Sequence, residues 1–249
     1  ALAIIKRAAA IVNNKLGLLD SSLSDAIVEA AEEVIDGKMD SQFPVDVFQT
    51  GSGTSTNMNM NEVISNRANE ILGHGIGMKE PVHPNDHVNM GQSSNDIIPS
   101  AIHLSSVLQL DALLSSLDRM YKVLRKKEDS FADIIKIGRT HLQDATPMTL
   151  GQEFSGYAEM VKKSIERVES AGADLHSLAQ GGTAVGTGIN THPDFGMLVA
   201  KELSSYLSVE INEAKNHFEA QSSQDSVVQL SGALKTVSVS LSKIANDIR

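Results

Sequence analysis

The stretch His83-Pro84-Asn85-Asp86-His87-Val88-Asn89-Met90-Gly91-Gln92-Ser93-Ser94-Asn95-Asp96 is almost free of large apolar side chains and rich in hydroxyls and amides. Directly after it the pattern turns apolar and helical, from Ile97 to about Lys127. Val107, Leu110, Leu114, Leu117, Tyr121 and Leu124 step by 3 and 4 residues there, which puts them on one helix face. Pro99 falls in the first turn of this expected helix, where a missing N–H is tolerated. A run of Ser, Asn and Asp ahead of a helix has two readings. It can be an N-cap, in which a side-chain oxygen satisfies an orphan backbone donor. It can also be an anion site, because free N–H groups and the positive end of the helix dipole attract a carboxylate. Capping needs one such residue, and this stretch holds far more.

The same signature recurs outward from it. Gln49-Thr50-Gly51-Ser52-Gly53-Thr54-Ser55-Thr56-Asn57-Met58-Asn59-Met60-Asn61-Glu62 runs into a helix through Val63, Ile64 and Ile71 that ends near Gly73. It is not a dinucleotide fingerprint, since Thr56 stands where the third glycine belongs and no strand precedes it; nor does a Gly-Lys-Ser/Thr follow to make a P-loop. Upstream, residues 1–14 and about 24–36 read as helices, the second with Ala26, Ile27, Ala30, Ala31, Val34 and Ile35 on one face and Gly37 as its stop. A third polar island is Gly138-Arg139-Thr140-His141-Leu142-Gln143-Asp144-Ala145-Thr146-Pro147. A helix from near Thr149 follows, carrying Leu150, Phe154, Tyr157, Val161, Ile165 and Val168. Gly181 to Asn190 is flexible backbone with hydroxyls, a shorter helix covers about 193–207, and Phe218 to Arg249 reads as one last helix.

These patterns predict an all-α protein with no convincing strand. The second half holds three long helices, two with near-perfect heptad seams, and such sustained 3.5-residue spacing implies left-handed bundle packing. A boundary is expected near residue 92: a smaller, mostly helical N-terminal domain over 1–92 and a central long-helix bundle over 93–249. Seams this long can also be buried between subunits, so an oligomer is expected. No capping residue precedes the first helix, and the seam of Val227, Leu230, Leu234, Val237, Leu241, Ile244 and Ile248 is unbroken at Arg249. The sequence therefore reads as an internal fragment, with both domains incomplete.

Composition removes several function classes. There is no cysteine, so disulfides, zinc-thiolate sites, Cys nucleophiles and Cys-ligated iron–sulfur clusters are excluded. A net charge of −10 argues against nucleic acid as a partner. It does not argue against an acidic metabolite, because local donors set that affinity. No unbroken apolar run approaches the ~20 residues of a membrane helix and no leader pattern is visible, so a soluble protein is expected.

Thr54, Ser93, Ser94, Asn95 and Thr140 are neutral donors suited to carboxylate oxygens. His141 charges near physiological pH and can move protons, although a lone histidine also serves as a structural residue. His83 and His87 with Asp86 between them invite a metal reading, but Pro84 works against the regular helix that a zinc pair needs, and no metal is expected there. The acidic run Glu29, Glu32, Glu33 and Asp36 reads most simply as a solvated helix face.

Taken together, Gly51-Ser52-Gly53-Thr54 with Asn57-Met58-Asn59 and Asn61-Glu62, then His83-Pro84-Asn85-Asp86 with Gln92-Ser93-Ser94-Asn95-Asp96, then Gly138-Arg139-Thr140-His141 resemble the iron-independent (class II) fumarases of the aspartase/fumarase superfamily. Gly181 to Asn190 and Ile244-Ala245-Asn246-Asp247-Ile248-Arg249 fit the same pattern, in order, over essentially the whole chain. The resemblance implies a central bundle of long helices and a lyase that reversibly hydrates fumarate to (S)-malate in the tricarboxylic acid cycle. It further implies a homotetramer whose active sites are shared between subunits, with no cofactor, no nucleic acid and no membrane.

By position, Ser52, Gly53, Thr54, Ser93, Ser94, Asn95 and Thr140 would hold substrate carboxylates, and His141 would act in proton transfer or orient the water. His83, Pro84, Asn85 and Asp86 match the family's second, non-catalytic dicarboxylate site. The family's Gly-Ser-Ser-x-x-Met-Pro-Gly-Lys loop, with its base serine and a substrate lysine, has no counterpart in these residues. It is expected beyond Arg249, so this stretch alone is expected to have little or no activity. Cytoplasm is the expected compartment, with the mitochondrial matrix as the alternative.

Two rival readings stand beside this one. Aspartate ammonia-lyase, of the same superfamily, usually carries Gln where His141 stands and Ser-Thr where Ser93-Ser94 stands. A non-catalytic helical oligomerisation module would use the seams but leave the three polar islands without a purpose.

Overall fold

A computed structural model describes all residues, 1–249. In chain order the elements are α1 (Leu2–Lys15), α2 (Ser21–Ile35), α3 (Thr54–Ile71), α4 (Ser94–Ser130), β1 (Ile135–Thr140), β2 (Gln143–Thr149), α5 (Leu150–Gly172), β3 (Ser177–Leu178), α6 (Phe195–Leu207), β4 (Asn212–Glu213), α7 (His217–Ser222) and α8 (Asp225–Ile248). The class is helical, as expected, and the chain forms two compact units.

One unit comprises Ala1–Ser106 and Leu175–Gln224. Asp20 caps α2 by accepting the Ser22 N–H at 2.8 Å, so this helix starts three residues before the apolar periodicity does. α1 packs on α2 and α2 on α3 around Ile27, Ile64, Val82 and Val88, with Ala10, Ala26, Ala30, Ala31 and Ala68 letting the backbones approach. The acidic run on α2 is not merely solvated. Glu33 receives a two-pronged contact from Arg67 of α3, Nε to Oε2 at 2.6 Å and Nη2 to Oε1 at 2.9 Å, and Glu32 pairs with Arg7 of α1 at 3.0 Å. α6 packs on α1, where the Arg7 guanidinium stacks 4.2 Å over the Tyr206 ring.

The other unit comprises Val107–Asp174 and Asp225–Arg249. α5 opens with a reciprocal capping box: the Gln152 N–H donates to Thr149 Oγ1 at 3.1 Å and the Thr149 N–H to Gln152 Oε1 at 3.0 Å. α5 lies along α8, and Tyr157 Oη sits 2.9 Å from Asp247 Oδ2 and 3.0 Å from Glu153 Oε1. Burial, helped by hydrogen bonds to those carboxylates, pushes the Tyr157 phenol up. Of the α8 seam, Leu230, Val237 and Ile244 are buried at seven-residue spacing, whereas Leu234 and Ile248 remain exposed, as do Val228 and Val239 outside it.

Three features differ from the sequence expectations. The island 138–147 is a β-hairpin, with Ile135 opposite Thr149 and Thr140 opposite Gln143 and an irregularity between Ile137 and Arg139. His141 and Leu142 at its tip both have left-handed φ, +50° and +61°, the twist that suits a two-residue hairpin turn. Neither strand has a buried face, so no alternation of apolar and polar residues announced them. β3 and β4, two residues each and parallel, are too short to leave any pattern. The last helix is two: Ser223 is extended, at φ −114° and ψ 148°, and separates α7 from α8. Finally, α4 starts at Ser94 rather than Ile97, which moves Pro99 into its second turn and leaves the Asn95 carbonyl without its usual helical donor. By length and composition alone α4 is apolar enough to cross a membrane, with a mean hydropathy of 1.4 over 18 residues of which 39% are buried. Ser100, Ser105 and Ser106 interrupt that stretch, which is why it does not read as an apolar run.

Candidate active site

Two of the polar islands meet in the first unit. Gly51 and Ser52 ahead of α3, and Ser94 and Asn95 at the start of α4, face one cavity of about 600 Å³. Ile98, Pro99 and Ile102 form its apolar wall, and Ala184, Val185, Phe218, Gln221 and Gln224 close another side. No lining side chain is ionised. A bound carboxylate would be met by hydroxyls, amides and the N-termini of α3 and α4, which carry partial positive charge.

The α3 entrance is shaped by Gly53, the N-cap residue, at φ +64°. It makes no side-chain cap, so the hydroxyls around it are not spent on capping. Thr50 and Ser52 oxygens lie 3.1 Å apart, and Ser52 and Thr54 oxygens 3.2 Å apart. At the α4 entrance the Ser93 N–H donates to Asp96 Oδ1 at 2.8 Å, a local cap, while the Asn95 Nδ2 donates to the Ala184 carbonyl at 2.7 Å. Ser94 Oγ accepts from Asn57 Nδ2 at 3.0 Å.

Behind the cavity wall lies a buried polar cluster that sequence reasoning gave no role. Asp96 is fully buried, and its second oxygen accepts the Thr183 N–H at 2.9 Å, tying the α4 entrance to the Gly181–Asn190 loop. Burial pushes its carboxyl up to about 7, against the pull of the backbone N–H groups of Ser93 and Thr183. Lys6 of α1 is also fully buried and donates to Asn89 Oδ1 at 2.7 Å and Gln92 Oε1 at 3.0 Å. Burial lowers its ammonium to about 7, with Asp96 acting in the opposite sense. The only sequence signal for Lys6 was its place on the buried face of α1, beside Ile5 and Ala9. Gln221 and Gln224 lay in what read as uninterrupted helix, and the polar run Gln221-Ser222-Ser223-Gln224 was the missed sign of the break that brings them to the cavity.

The other expected residues lie elsewhere. Thr140 and His141 are exposed at the tip of the β1–β2 hairpin, in the second unit. His83 to Asp86 form a single wide turn, Pro84–Val88, against α3 and α1. The His83 Nδ1 accepts the N–H groups of Asn85 (3.3 Å) and Asp86 (3.1 Å), and the His87 Nδ1 accepts the His83 N–H at 2.8 Å. Nδ1 of each ring is thus occupied by backbone donors, and Asp86 Oδ2 lies 3.3 Å from His83 Nδ1. No group of three or more His, Asp or Glu side chains is placed to hold a metal ion. A groove of about 620 Å³ between α5 and α8 is lined by Lys163, Glu166, Arg167, Gln229 and the small residues Ser170, Ala171 and Ala233, of which none belongs to a polar island.

Comparison with known proteins places the chain in a family. The lyase family model matches residues 1–249. The chain is 56% identical, over 250 residues, to the fumarate hydratase, mitochondrial, of Schizosaccharomyces pombe, covering 100% of this chain and 48% of that protein. Among solved structures, the fumarate lyase:delta crystallin of Brucella melitensis bound to cobalt superposes with a TM-score of 0.95 at 45% identity, covering 100% of this chain and 54% of that one. The recombinant class II fumarase of Schistosoma mansoni superposes with a TM-score of 0.94 at 43% identity, covering 99% and 55%. The chain belongs to the lyase family. Its relatives in sequence and in structure bear the names fumarate hydratase and class II fumarase, and it spans about half the length of the curated relatives it matches.

Proposed function

We propose that the complete protein is a fumarate hydratase that reversibly converts fumarate and water to (S)-malate. The observation that carries this reading is the convergence of Ser52, Ser94 and Asn95 on one uncharged cavity flanked by two helix N-termini. Dehydrating malate removes a proton from the carbon beside a carboxylate and builds a doubly charged aci-carboxylate. Preorganised neutral donors stabilise that developing charge, and losing one typically costs about 10²–10³ in rate.

In this reading Ser52, Gly53, Thr54, Ser93, Ser94, Asn95 and Thr140 hold the substrate carboxylates, and His141 orients the water or transfers a proton. Thr140 and His141 serve a site completed by other copies of the chain in a homotetramer, a role that suits their exposure on a projecting hairpin. The exposed seam residues Leu234 and Ile248, with Val123 of α4, supply apolar surface for such packing. Residues 1–92 belong to the N-terminal domain and 93–249 to the central bundle. The turn His83-Pro84-Asn85-Asp86 is the second dicarboxylate site. The protein acts in the cytoplasm or the mitochondrial matrix.

The test is absorbance at the fumarate band after malate is added to the complete protein, with aspartate as the control. Fumarate formed from malate, without ammonia release from aspartate, is the expected result. Ammonia release from aspartate with no malate turnover refutes the hydratase and makes the protein an ammonia-lyase.

A further inference from the structure

Ser94 is useful to a carboxylate only if its hydroxyl hydrogen points at it, because a hydroxyl can equally well present a lone pair. Which way it points is decided by its neighbour. Asn57, on α3 and 1% exposed, offers its amide nitrogen to two oxygens, Ser94 Oγ at 3.0 Å and Asn89 Oδ1 at 3.3 Å. The orientation of Asn89 is fixed twice over. Its Oδ1 faces Lys6 Nζ at 2.7 Å, which has hydrogens to donate as ammonium or as amine. Its Nδ2 faces the Gln92 carbonyl at 3.2 Å, which can only accept. Gln92 is held in turn, its Nε2 donating to the carbonyls of Val88 and Met90 at 3.2 and 3.1 Å and its Oε1 taking the second Lys6 bond at 3.0 Å. With an oxygen of Asn89 facing it, the near end of Asn57 has to be the NH₂ group. That leaves Asn57 Oδ1 buried without a partner, so this orientation is kept despite a polar cost.

We propose that Lys6, Asn89 and Asn57 are positioning residues that fix the direction of a hydrogen-bond chain and so hold Ser94 as a donor toward the substrate carboxylate. The buried Lys6 Nζ donates to Asn89, Asn57 donates to Asn89 and to Ser94, and the Ser94 lone pair on the inner side is occupied. Its hydrogen is left for the cavity. The inference rests on the reading of Ser94 as a carboxylate ligand.

The test uses the complete enzyme and steady-state kinetics with malate, on proteins whose circular dichroism and oligomeric state match the parent. Ser94→Ala should raise KM by about tenfold, the typical loss of one hydrogen bond to a charged group. Asn57→Asp is nearly isosteric but presents acceptors only, so it turns the Ser94 hydrogen inward and should raise KM by at least as much. Lys6→Met removes the obligate donor and should act in the same direction, more weakly, since the Gln92 carbonyl still holds Asn89. The decisive comparison is the pair. In a Ser94→Ala background, Asn57→Asp should cost no more than about twofold further, because both changes remove the same donor. Full costs in both backgrounds, or no effect of Asn57→Asp on KM, overturn the chain of bonds and leave the proposed reaction standing. If Lys6→Met does not fold, the Asn57→Asp comparison decides alone. An unchanged KM for Ser94→Ala in an active hydratase refutes the placement of the substrate carboxylate, and absence of malate turnover in the parent refutes the reaction itself and this inference with it.

Discussion

Gly53 is the position where a single methyl group tests both the backbone and the cavity. It is at φ +64° and ψ +15°, and a Cβ added there would lie 2.9, 3.0 and 3.1 Å from Cδ1, Cγ1 and Cγ2 of Ile98. A left-handed backbone costs an ordinary L residue about 1–2 kcal/mol. Overpacking against aliphatic atoms costs about 1–3 kcal/mol more. Gly53→Ala should therefore destabilise by about 2–5 kcal/mol, which for a unit of this size lowers Tm by about 4–20 °C at roughly 2–4 °C per kcal/mol. Relaxation has to go through Ile98, which lines the cavity, and through Ser52 next in the chain, so KM for malate should rise as well. Differential scanning fluorimetry of the complete protein and a KM measurement are the assays. The two costs separate in a cycle with Ile98→Ala. That change alone opens a void, but in the double variant it removes the clash and leaves only the backbone strain, so the double should be more stable than additivity predicts by about 1 kcal/mol or more. A Tm loss under about 1 °C for Gly53→Ala, or strict additivity in the cycle, refutes the reasoning.

Two further predictions concern stability alone. Thr149→Ala removes half of the capping box of α5 and should cost about 1 kcal/mol in denaturant unfolding, with Thr149→Ser recovering most of it; equal midpoints for all three proteins would show that the cap contributes nothing. The hydrogen bonds from Arg67 hold the Glu33 carboxyl below its ordinary 4.5, so the stabilisation is present above that pH and is lost as pH falls through the lower, folded value. The Tm gap between the parent and Arg67→Gln should accordingly be widest near neutrality and close at strongly acidic pH, and a gap that stays constant on acidification would assign the contact a non-ionic role.

What could be read from the sequence followed burial. α1, α2, α5 and α6 each bury one face, and the resulting 3.6-residue period located them to within a few residues. α3 instead already starts at Thr54, inside the stretch to Glu62 that reads as a polar loop, because its first turns carry Ser, Thr and Asn rather than an apolar stripe. The β1–β2 hairpin buries neither face and carries left-handed residues, His141 and Leu142, that are not the usual Asn-Gly pair, so nothing in its composition marked it as strand. The break at Ser223 was masked because the helical period resumes on the far side at Val227 and Leu230. Lys6 could not be anticipated at all. A lysine inside an apolar face reads as a flaw in the period until the carbonyl groups of Asn89 and Gln92, more than eighty residues away, are seen to converge on it.

The surplus of polar residues over what capping needs was the argument for a ligand site, and the structure divides that surplus unevenly. Much of it is consumed internally. Asp96 takes the N–H groups of Ser93 and Thr183, the His83 ring takes those of Asn85 and Asp86, Ser93 Oγ takes that of Asn95 at 3.3 Å, and Asn57 is spent on Asn89 and Ser94. The groups left facing the cavity are few, chiefly Ser52, Ser94 and one amide hydrogen of Asn95. An amide or hydroxyl is ambivalent by itself, and only its fixed partners make it a donor. The internally consumed residues therefore do not weaken the case for anion recognition. They are the reason so few exposed donors suffice, since Ser94 and Asn95 arrive with their directions already set and lose little freedom when a carboxylate binds.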